Sequence, residues 1–439
     1  MLSARTSFAA LTTEFALQTR RVCRGRAFRV GFRKPNARNG TQPEPRLRMI
    51  LFTFETRRSV GERNSWKISS FRKLEIKPNN YTATEVQTMT CNETQSKENT
   101  HAEMKAKRKL ILDAFDNKAV ERVPVGFWWH FADEYRQFRG LMDDGIIQAT
   151  IDGTKKMYDD LKPDMAKVMS DGFFGHPSIM ENDINTIDDI KKIKSIGASS
   201  PWYDKQVDML NEILKHFNGE IAAFYNIFAP LNYIRLYTEC YKKRPELFAE
   251  LFIEDPDAML AASLEIAKDL EVLADKIKRN TAVDGIYYSV QSVQAKQVDI
   301  NFHKRYVEKS DLQVLHKINT LWDNNILHIC GYGSTTNNLS FYTDYKAKVY
   351  NWSIHAEKMS LSEGKKYFGG ACVLGGFPNS KGTLLDIGPD TEIENRVKEL
   401  IADVGTVGVI IGADCTIPPQ VGYKRLDEVR RYAEKYSKK

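Results

Sequence analysis

The chain has 439 residues, of which 42% are hydrophobic, with a formal net charge of +7 and six cysteines. This hydrophobic fraction excludes a wholly disordered chain, and no apolar run approaches the roughly 20 residues of a membrane-spanning helix. Six cysteines in a chain of this length are too few for a disulfide scaffold. The positive charge would suit a nucleic-acid-binding protein, but it is unevenly distributed.

The excess of positive charge lies in residues 1–103. This segment contains 14 Arg, 5 Lys, 9 Glu and no Asp, for a net charge of +10, whereas residues 104–439 carry a net charge of −3. The basicity therefore gives no argument that the main part of the chain binds nucleic acid. We expect neither a nucleic acid nor a membrane as a partner.

Three interpretations of residues 1–103 remain open. The segment is Arg-rich and acid-poor, as a mitochondrial transit peptide is. It could equally be a disordered basic arm, or sequence upstream of a true start at Met89 or Met104. The change from Arg-rich to Lys-rich composition at the boundary favours the last interpretation. No signal-peptide pattern is present, so we expect a cytoplasmic protein, or a mitochondrial one if residues 1–103 are a transit peptide.

Strand and helix patterns alternate through residues 104–439. The spacing predicts an amphipathic helix over 104–117, followed by eight short apolar runs that are typical of buried strands. The predicted strands are Pro124–Trp128, Met165–Met169, Ile221–Tyr225, Val283–Val290, Asn325–Ile329, Lys348–Trp352, Ala371–Leu374 and Val407–Ile411. The main predicted helices are Tyr203–Phe217, Leu231–Cys240, Pro256–Arg279, Asp311–Asn324, Glu392–Val404 and Leu426–Lys435.

This alternation indicates a parallel sheet with helical crossovers, which is an α/β fold. Eight units in this length predict a (β/α)8 barrel, with an open, doubly wound sheet as the alternative. In such barrels the catalytic groups lie at the C-terminal ends of the strands. Candidate residues can therefore be sorted by their position relative to each predicted strand.

His328 and Cys330 form an H-x-C pair at the end of the fifth predicted strand. Positions i and i+2 of a strand point to the same face, so both side chains could bind one metal ion. Cys415 follows the eighth predicted strand and should lie at the same rim of the barrel. Cys372 opens its strand and should face the opposite rim, and Cys240 falls in a helical stretch.

One imidazole and two thiols are a ligand set that suits zinc and leaves a fourth position open. A substrate thiol in that position would be activated for alkyl transfer, whereas a water molecule would indicate a hydrolase. The plainer alternative is that both cysteines are small buried packing residues.

Five further residues are candidates for substrate binding because each lies at or just after the C-terminal end of a predicted strand. Trp129 could line a pocket for a corrin or an apolar methyl donor, although packing in the barrel would also explain it. The other four, which can form hydrogen bonds at the same rim, are His130, Asn226, Gln291 and Asn351.

At the level of motifs, residues 104–439 resemble the uroporphyrinogen decarboxylase superfamily. They are most similar to its corrinoid-dependent methyltransferases, which act with a methyl-cobamide protein and a thiol such as coenzyme M. The resemblance is carried by ERVPVGFWWHF (121–131), ILHICG (326–331), GGFPN (375–379) and GVIIGADCTIPP (408–419).

The resemblance implies a TIM barrel and a zinc-dependent methyltransferase. The family signature, H-x-C followed far downstream by Cys, falls on His328, Cys330 and Cys415, and implies that they bind zinc with the substrate thiol as a further ligand. The corrinoid would be carried by a partner protein, because the chain lacks the D-x-H-x-x-G pattern of a corrinoid-carrying domain.

Two alternatives to methyl transfer remain. The first is a tetrapyrrole decarboxylase of the same superfamily, whose R-Q-A-G-R signature would fall where this chain reads Trp128 to Ala132, without an arginine. Asp171 would match the aspartate expected near the end of the second strand of that enzyme, and is therefore a candidate for substrate binding. The second is a non-catalytic accessory barrel that binds a methylated compound or a corrinoid protein.

Overall fold

A computed structural model describes residues 47–57, 65–76, 106–291, 298–331 and 336–438. The chain divides into two units, Met1–Glu98 and Asn99–Lys439. In the first unit, strands β1 (Leu47–Arg57) and β2 (Ser65–Ile76) pair antiparallel. The three interpretations of residues 1–103 concern mainly positions outside the described residues, and they stay predictions.

The second unit is a nearly closed barrel of eight parallel strands, which confirms the predicted (β/α)8 fold. Each predicted strand overlaps an observed one. The order around the sheet is β3-β10-β9-β8-β7-β6-β5-β4, so β3 and β4 are its two end strands and the barrel remains unpaired between them. The strands are β3 (Val125–Gly126), β4 (Met165–Val168), β5 (Ala222–Phe228), β6 (Gly285–Val290), β7 (Ile326–Ile329), β8 (Val349–Trp352), β9 (Cys372–Phe377) and β10 (Val409–Ala413).

Helices cover the outside of the barrel. No helix in the described ranges is long and apolar enough to cross a membrane. Residues 106–115 form the helix before β3. The α-helices that follow are Asp144–Leu161, Pro177–Asn182, Ile187–Lys191, Pro201–Phe217, Pro230–Leu236, Leu247–Glu254, Pro256–Asn280, Ile300–Tyr306, Glu308–Leu321, Ile354–Glu357, Leu361–Tyr367, Leu384–Ile387, Asp390–Val404 and Tyr423–Ser437.

The sequence explains why these elements form where they do. Every residue of the eight barrel strands is buried, as expected for parallel strands covered on both faces. The longest helix, Pro256–Asn280, begins with proline at its first position, and the Asp255 side chain accepts a hydrogen bond from the Ala258 backbone N–H. Proline and an aspartate cap both favour a helix start at this point.

A buried ion pair joins β3 and β4 at the end of the barrel opposite the strand C-termini. The two oxygens of Asp164 accept hydrogen bonds from the Arg122 guanidinium at 2.7 and 2.6 Å. Asp164 Oδ2 also accepts from the Val125 backbone N–H at 2.9 Å. Burial opposes ionisation of Asp164, but the Arg122 bonds prevail and hold its pKa below the ordinary value. The ion pair therefore links β3 and β4, the two end strands of the sheet.

Asp311 is a buried carboxyl group on the helix Glu308–Leu321. It accepts a hydrogen bond from Tyr345 Oη at 3.0 Å, and the same hydroxyl lies 3.2 Å from His303 Nε2. Burial raises the pKa of Asp311 to about 7 and lowers the pKa of His303 to about 4. The folded state therefore keeps Asp311 protonated at pH values where the unfolded chain has released the proton.

We expect Asp311→Asn to remove a pH dependence of stability. Between pH ~4 and pH ~7 the folded wild type binds one proton more than the unfolded chain at this site, so its unfolding free energy falls as pH rises. The variant should lack this fall and should be more stable than wild type at pH 8, by at most about 4 kcal/mol. Urea unfolding from pH 5 to pH 8 measures it. The exposed Asp323→Asn is the control, and parallel pH profiles for wild type and Asp311→Asn would contradict the expectation.

Candidate metal centre

Three side chains converge at the C-terminal end of the barrel strands. His328 lies on β7, Cys330 follows β7 directly, and Cys415 lies two residues beyond β10. Cys415 Sγ lies 3.6 Å from Cys330 Sγ and 3.4 Å from His328 Nε2. The three donor atoms all lie within 4.8 Å of one another. The structure thus brings together the residues that the H-x-C motif and the distant cysteine predicted.

The backbone around Cys330 holds its side chain in this position. Its N–H donates to the Val290 carbonyl at 2.9 Å, which continues the β6–β7 ladder one residue past β7. Because Cys330 stays extended, it points to the same side as His328. Asn337 donates to the Cys330 carbonyl at 3.0 Å, and the Asn337 backbone N–H donates to Glu357 Oε1 at 2.8 Å.

The Cys415 loop is held by the preceding residue, Asp414. The buried Asp414 carboxylate accepts hydrogen bonds from Ser353 Oγ at 3.0 Å, and its Oδ2 lies 2.7 Å from His355 Nδ1. Its backbone N–H donates to the Phe377 carbonyl at 2.8 Å. Cys415 is therefore anchored to the segment after β8 and to the end of β9.

A close approach of two strands also sets the position of Cys415. A Cβ atom at Gly412 on β10 would lie 2.5 Å from the Gly126 carbonyl oxygen on β3. A contact this short to a backbone atom would push the strands apart, so glycine lets β10 lie flat against β3 three residues before Cys415.

The electrostatic environment favours the thiolate form of Cys415. Its pKa lies well below the ordinary cysteine value because it accepts a hydrogen bond from Cys330, with further contributions from His328 and Lys167, while burial opposes the shift. Cys372 behaves differently: it opens β9, as predicted, and burial raises its pKa to about 12. A depressed pKa is typical of a cysteine that binds metal or reacts.

The distances in this cluster fit zinc. A tetrahedral site with Zn–S bonds of about 2.3 Å and a Zn–N bond of about 2.05 Å separates two sulfurs by about 3.8 Å and sulfur from nitrogen by about 3.6 Å. The observed separations are 3.6 and 3.4 Å. The donor set, two thiols and one imidazole, is also one that zinc prefers.

The structure brings two of the predicted substrate-binding residues together. Asp171 is fully buried, and its Oδ1 lies 2.7 Å from His130 Nδ1. Asp171 Oδ2 accepts hydrogen bonds from the backbone N–H groups of Phe131 and Ala132 at 2.7 and 3.2 Å. Asp171 therefore orients His130, whose side chain is about one third exposed (31%) at the barrel mouth.

Asn226 and Asn351 lie inside the barrel, where their amides bond to neighbouring strands. Asn226 donates to Ser170 Oγ and accepts from Ser289 Oγ, at 3.1 and 2.9 Å. Asn351 accepts from Tyr287 Oη at 2.8 Å and donates to the carbonyl groups of β9 and β10. Both amides thus have partners within the protein, and their predicted contact with substrate stays a prediction.

Gln291 and Trp129 differ in what surrounds them. Gln291 follows β6, and its buried Nε2 has no hydrogen-bond partner among the described residues. Trp129 packs edge-on against Tyr423 of the C-terminal helix, at 5.3 Å between ring centres. The tryptophan whose ring contacts His328, at 6.3 Å, is Trp128. The structure therefore places Trp128 beside the candidate metal centre, and the predicted contact of Trp129 with substrate stays a prediction.

The sequence reasoning missed Lys167, a buried lysine on β4. Its amine lies over the rings of Trp128 and Tyr287. Burial lowers the pKa of Lys167 to about 8, and attraction to Cys415 and Cys330 opposes this shift. The available signal was a lysine inside the apolar run M-A-K-V-M, because lysine is almost never buried without a reason.

Comparison with known proteins adds little to this site. No protein-family model and no curated protein matches the chain. Among solved structures, a B12-independent methionine synthase from a Shewanella species has a TM-score of 0.42 and 13% identity, covering 71% of this chain and 97% of that one. A β-mannanase from the blue mussel Mytilus edulis has a TM-score of 0.39 and 10% identity, covering 72% and 92%. At these scores the two neighbours support no argument about function.

Proposed function

We propose that the chain is a zinc-dependent methyltransferase that moves a methyl group between a corrinoid and a thiol. The observation that carries the proposal is the convergence of His328 Nε2, Cys330 Sγ and Cys415 Sγ at the C-terminal mouth of the barrel. These three side chains would hold the metal and leave a fourth position for the acceptor. The superfamily resemblance of the sequence motifs selects methyl transfer among the reactions of a thiol.

Zinc bound at such a site supplies deprotonation of a thiol near neutral pH, which creates a sulfur nucleophile. The other residues would position and shield the reaction. Trp128 and Tyr287 form an aromatic wall against His328, with ring centres at 6.3 and 5.7 Å. His130, oriented by Asp171, lies at the mouth and would contact the entering substrate.

The methyl donor would be a methyl-cobamide carried by a partner protein. A carbon–sulfur bond forms between the methyl group and the thiolate, and the carbon–cobalt bond breaks. The electron pair of that bond stays with cobalt, which leaves as cob(I)alamin, and the thiol proton goes to solvent. The barrel mouth is the surface at which the partner would have to dock, because the three donor atoms lie there.

Two measurements test the proposal. The first is zinc per chain in purified wild type and in Cys330→Ser: about one zinc in wild type and almost none in the variant are expected. The second is thiol-dependent loss of the methyl group from methylcobalamin, followed by the change in corrinoid absorbance. Cys372→Ser is the control, because Cys372 opens β9 away from the site.

The outcomes separate the proposal from its two alternatives. A wild-type chain without zinc would contradict the proposal and move the decarboxylase to first place. A chain that holds zinc through Cys330 but does not demethylate methylcobalamin with any thiol would favour the non-catalytic accessory barrel.

A further inference from the structure

Lys167 lies beside the candidate metal centre without belonging to its ligand set. Its amine is 4.9 Å from the centre of the Trp128 ring and 4.0 Å from the centre of the Tyr287 ring. Both rings contact His328, and the Lys167 charge interacts with the thiols of Cys330 and Cys415. The lysine therefore places a positive charge against the two aromatic rings that contact His328.

Among the described residues no salt bridge or hydrogen bond joins this amine to a carboxylate, although the buried Asp171 attracts it without direct contact. The contacts of the amine are with the faces of two aromatic rings, which stabilise a cation without using its N–H donors. Lys167 is only 6% exposed, so water compensates it poorly. A buried cation in such surroundings is expected to have an anionic partner in the working protein.

The charge balance of the proposed site supplies such a partner. Zinc with two thiolates, from Cys330 and Cys415, and the neutral imidazole of His328 has no net charge. An acceptor thiolate adds one negative charge, in a place where His328 and Cys330 are almost fully buried. A nearby cation offsets the cost of this charge.

We propose that Lys167 stabilises the negative charge of the acceptor thiolate at the candidate metal centre. The inference rests on the proposed function and extends it to how the acceptor is bound. When the thiol binds, its S–H bond breaks, the electron pair stays on sulfur and the proton goes to solvent. Lys167 responds to the charge on sulfur, so it should assist uncharged and acidic thiols equally.

Lys167→Met tests this, because methionine keeps much of the packing and removes the charge. Removing the cation should leave zinc affinity nearly unchanged, because zinc with two thiolates and a neutral imidazole carries no net charge for Lys167 to attract or repel. The same change should weaken thiol binding at pH 7 at least tenfold, because the interaction between two charges is screened weakly in a buried site. A lysine that served only for packing would weaken both when removed.

Zinc affinity is measured by competition with a chromogenic chelator. Thiol binding is measured on the cobalt(II)-substituted full-length chain, through the thiolate-to-cobalt charge-transfer absorption, with 2-mercaptoethanol as an uncharged probe and 2-mercaptoethanesulfonate as an acidic one. Lys156→Met, at an exposed lysine paired with Asp160, is the matched control and should change neither quantity. Lys167→Gln serves as a second variant with the same expected result.

Nearly unchanged zinc affinity together with at least tenfold weaker binding of both thiols would support the inference. Thiol affinity equal to wild type would overturn it, and so would parallel weakening of zinc and thiol. Weaker binding of the sulfonate alone would also overturn it, because Lys167 would then bind the remote acid group. A wild-type chain that holds no zinc would overturn the proposed function as well, whereas zinc-loaded chains with equal thiol affinities would overturn this inference alone.

Discussion

Cys415→Ser is expected to lose both zinc and thiol-dependent methyl transfer, with zinc falling from about one per chain to almost none. A serine hydroxyl stays protonated near neutral pH and is a poor zinc ligand, so two donors would remain. The fold should survive, because Cys415 is half-buried in a loop two residues beyond β10. Metal analysis, methylcobalamin absorbance and thermal unfolding measure the three quantities.

Cys372→Ser is the control for this experiment. Cys372 is a buried thiol of the same barrel, at the start of β9, and it is not part of the cluster. It should keep its zinc even if stability falls. A Cys415→Ser chain with full activity would contradict the methyltransferase proposal, and one that unfolds would indicate a structural metal.

Asp164→Asn is expected to have the largest effect on stability of the changes considered, about 3–5 kcal/mol. The change leaves the Arg122 guanidinium without its carboxylate in a place where that side chain is only 12% exposed. The Val125 backbone N–H also depends on the same oxygen. Urea unfolding of both chains at pH 7 measures the difference.

The pH dependence of stability and a control variant test the Asp164→Asn prediction further. The folded-state pKa of Asp164 is lowered, so its contribution is present above the unfolded value, near pH 4, and is lost as pH falls through the folded value. Asp144→Asn, at an exposed aspartate paired with Lys205, should cost less than about 1 kcal/mol. Equal costs for the two variants would show that the buried pair between β3 and β4 does not stabilise the barrel.

The fold could be predicted because its signal is local. Each barrel strand is a short apolar run between helical patterns, and burial on both faces imposes that pattern without reference to distant residues. The metal cluster could be predicted for a related reason. His328 and Cys330 lie on one strand end, and the barrel topology carries Cys415 to the same rim.

Other features of the site depend on contacts between distant residues. Asp414 and His355 are 59 positions apart, and nothing in either segment indicates their bond. The contact of Trp128 with His328 could not be predicted, because β3 ends at Gly126, after which the alternation of strand faces no longer applies. Lys167 lies on β4, where every residue is buried. The apolar pattern of such a strand does not indicate which of its side chains point into the barrel.

The first hundred residues illustrate a limit of predicting structure from apolar periodicity. The sequence predicts no elements there, because the segment lacks a sustained apolar period, yet Leu47–Arg57 and Ser65–Ile76 pair antiparallel. Antiparallel pairing needs only a short loop and local backbone hydrogen bonds. An apolar period is therefore a weak guide to isolated two-stranded ribbons.

The bonds that hold the Cys330 and Cys415 loops bear on how the protein would acquire and exchange its metal. Asn337 holds one loop and Asp414 holds the other, each through a hydrogen bond to another protein group. In zinc fingers the ion drives folding. Here the barrel itself would hold the three donor atoms in place, so a chelator is expected to remove a bound zinc ion from a protein that stays folded. Metal loading would then be a reversible equilibrium of the finished fold, open to other divalent ions and set by their supply in the cell.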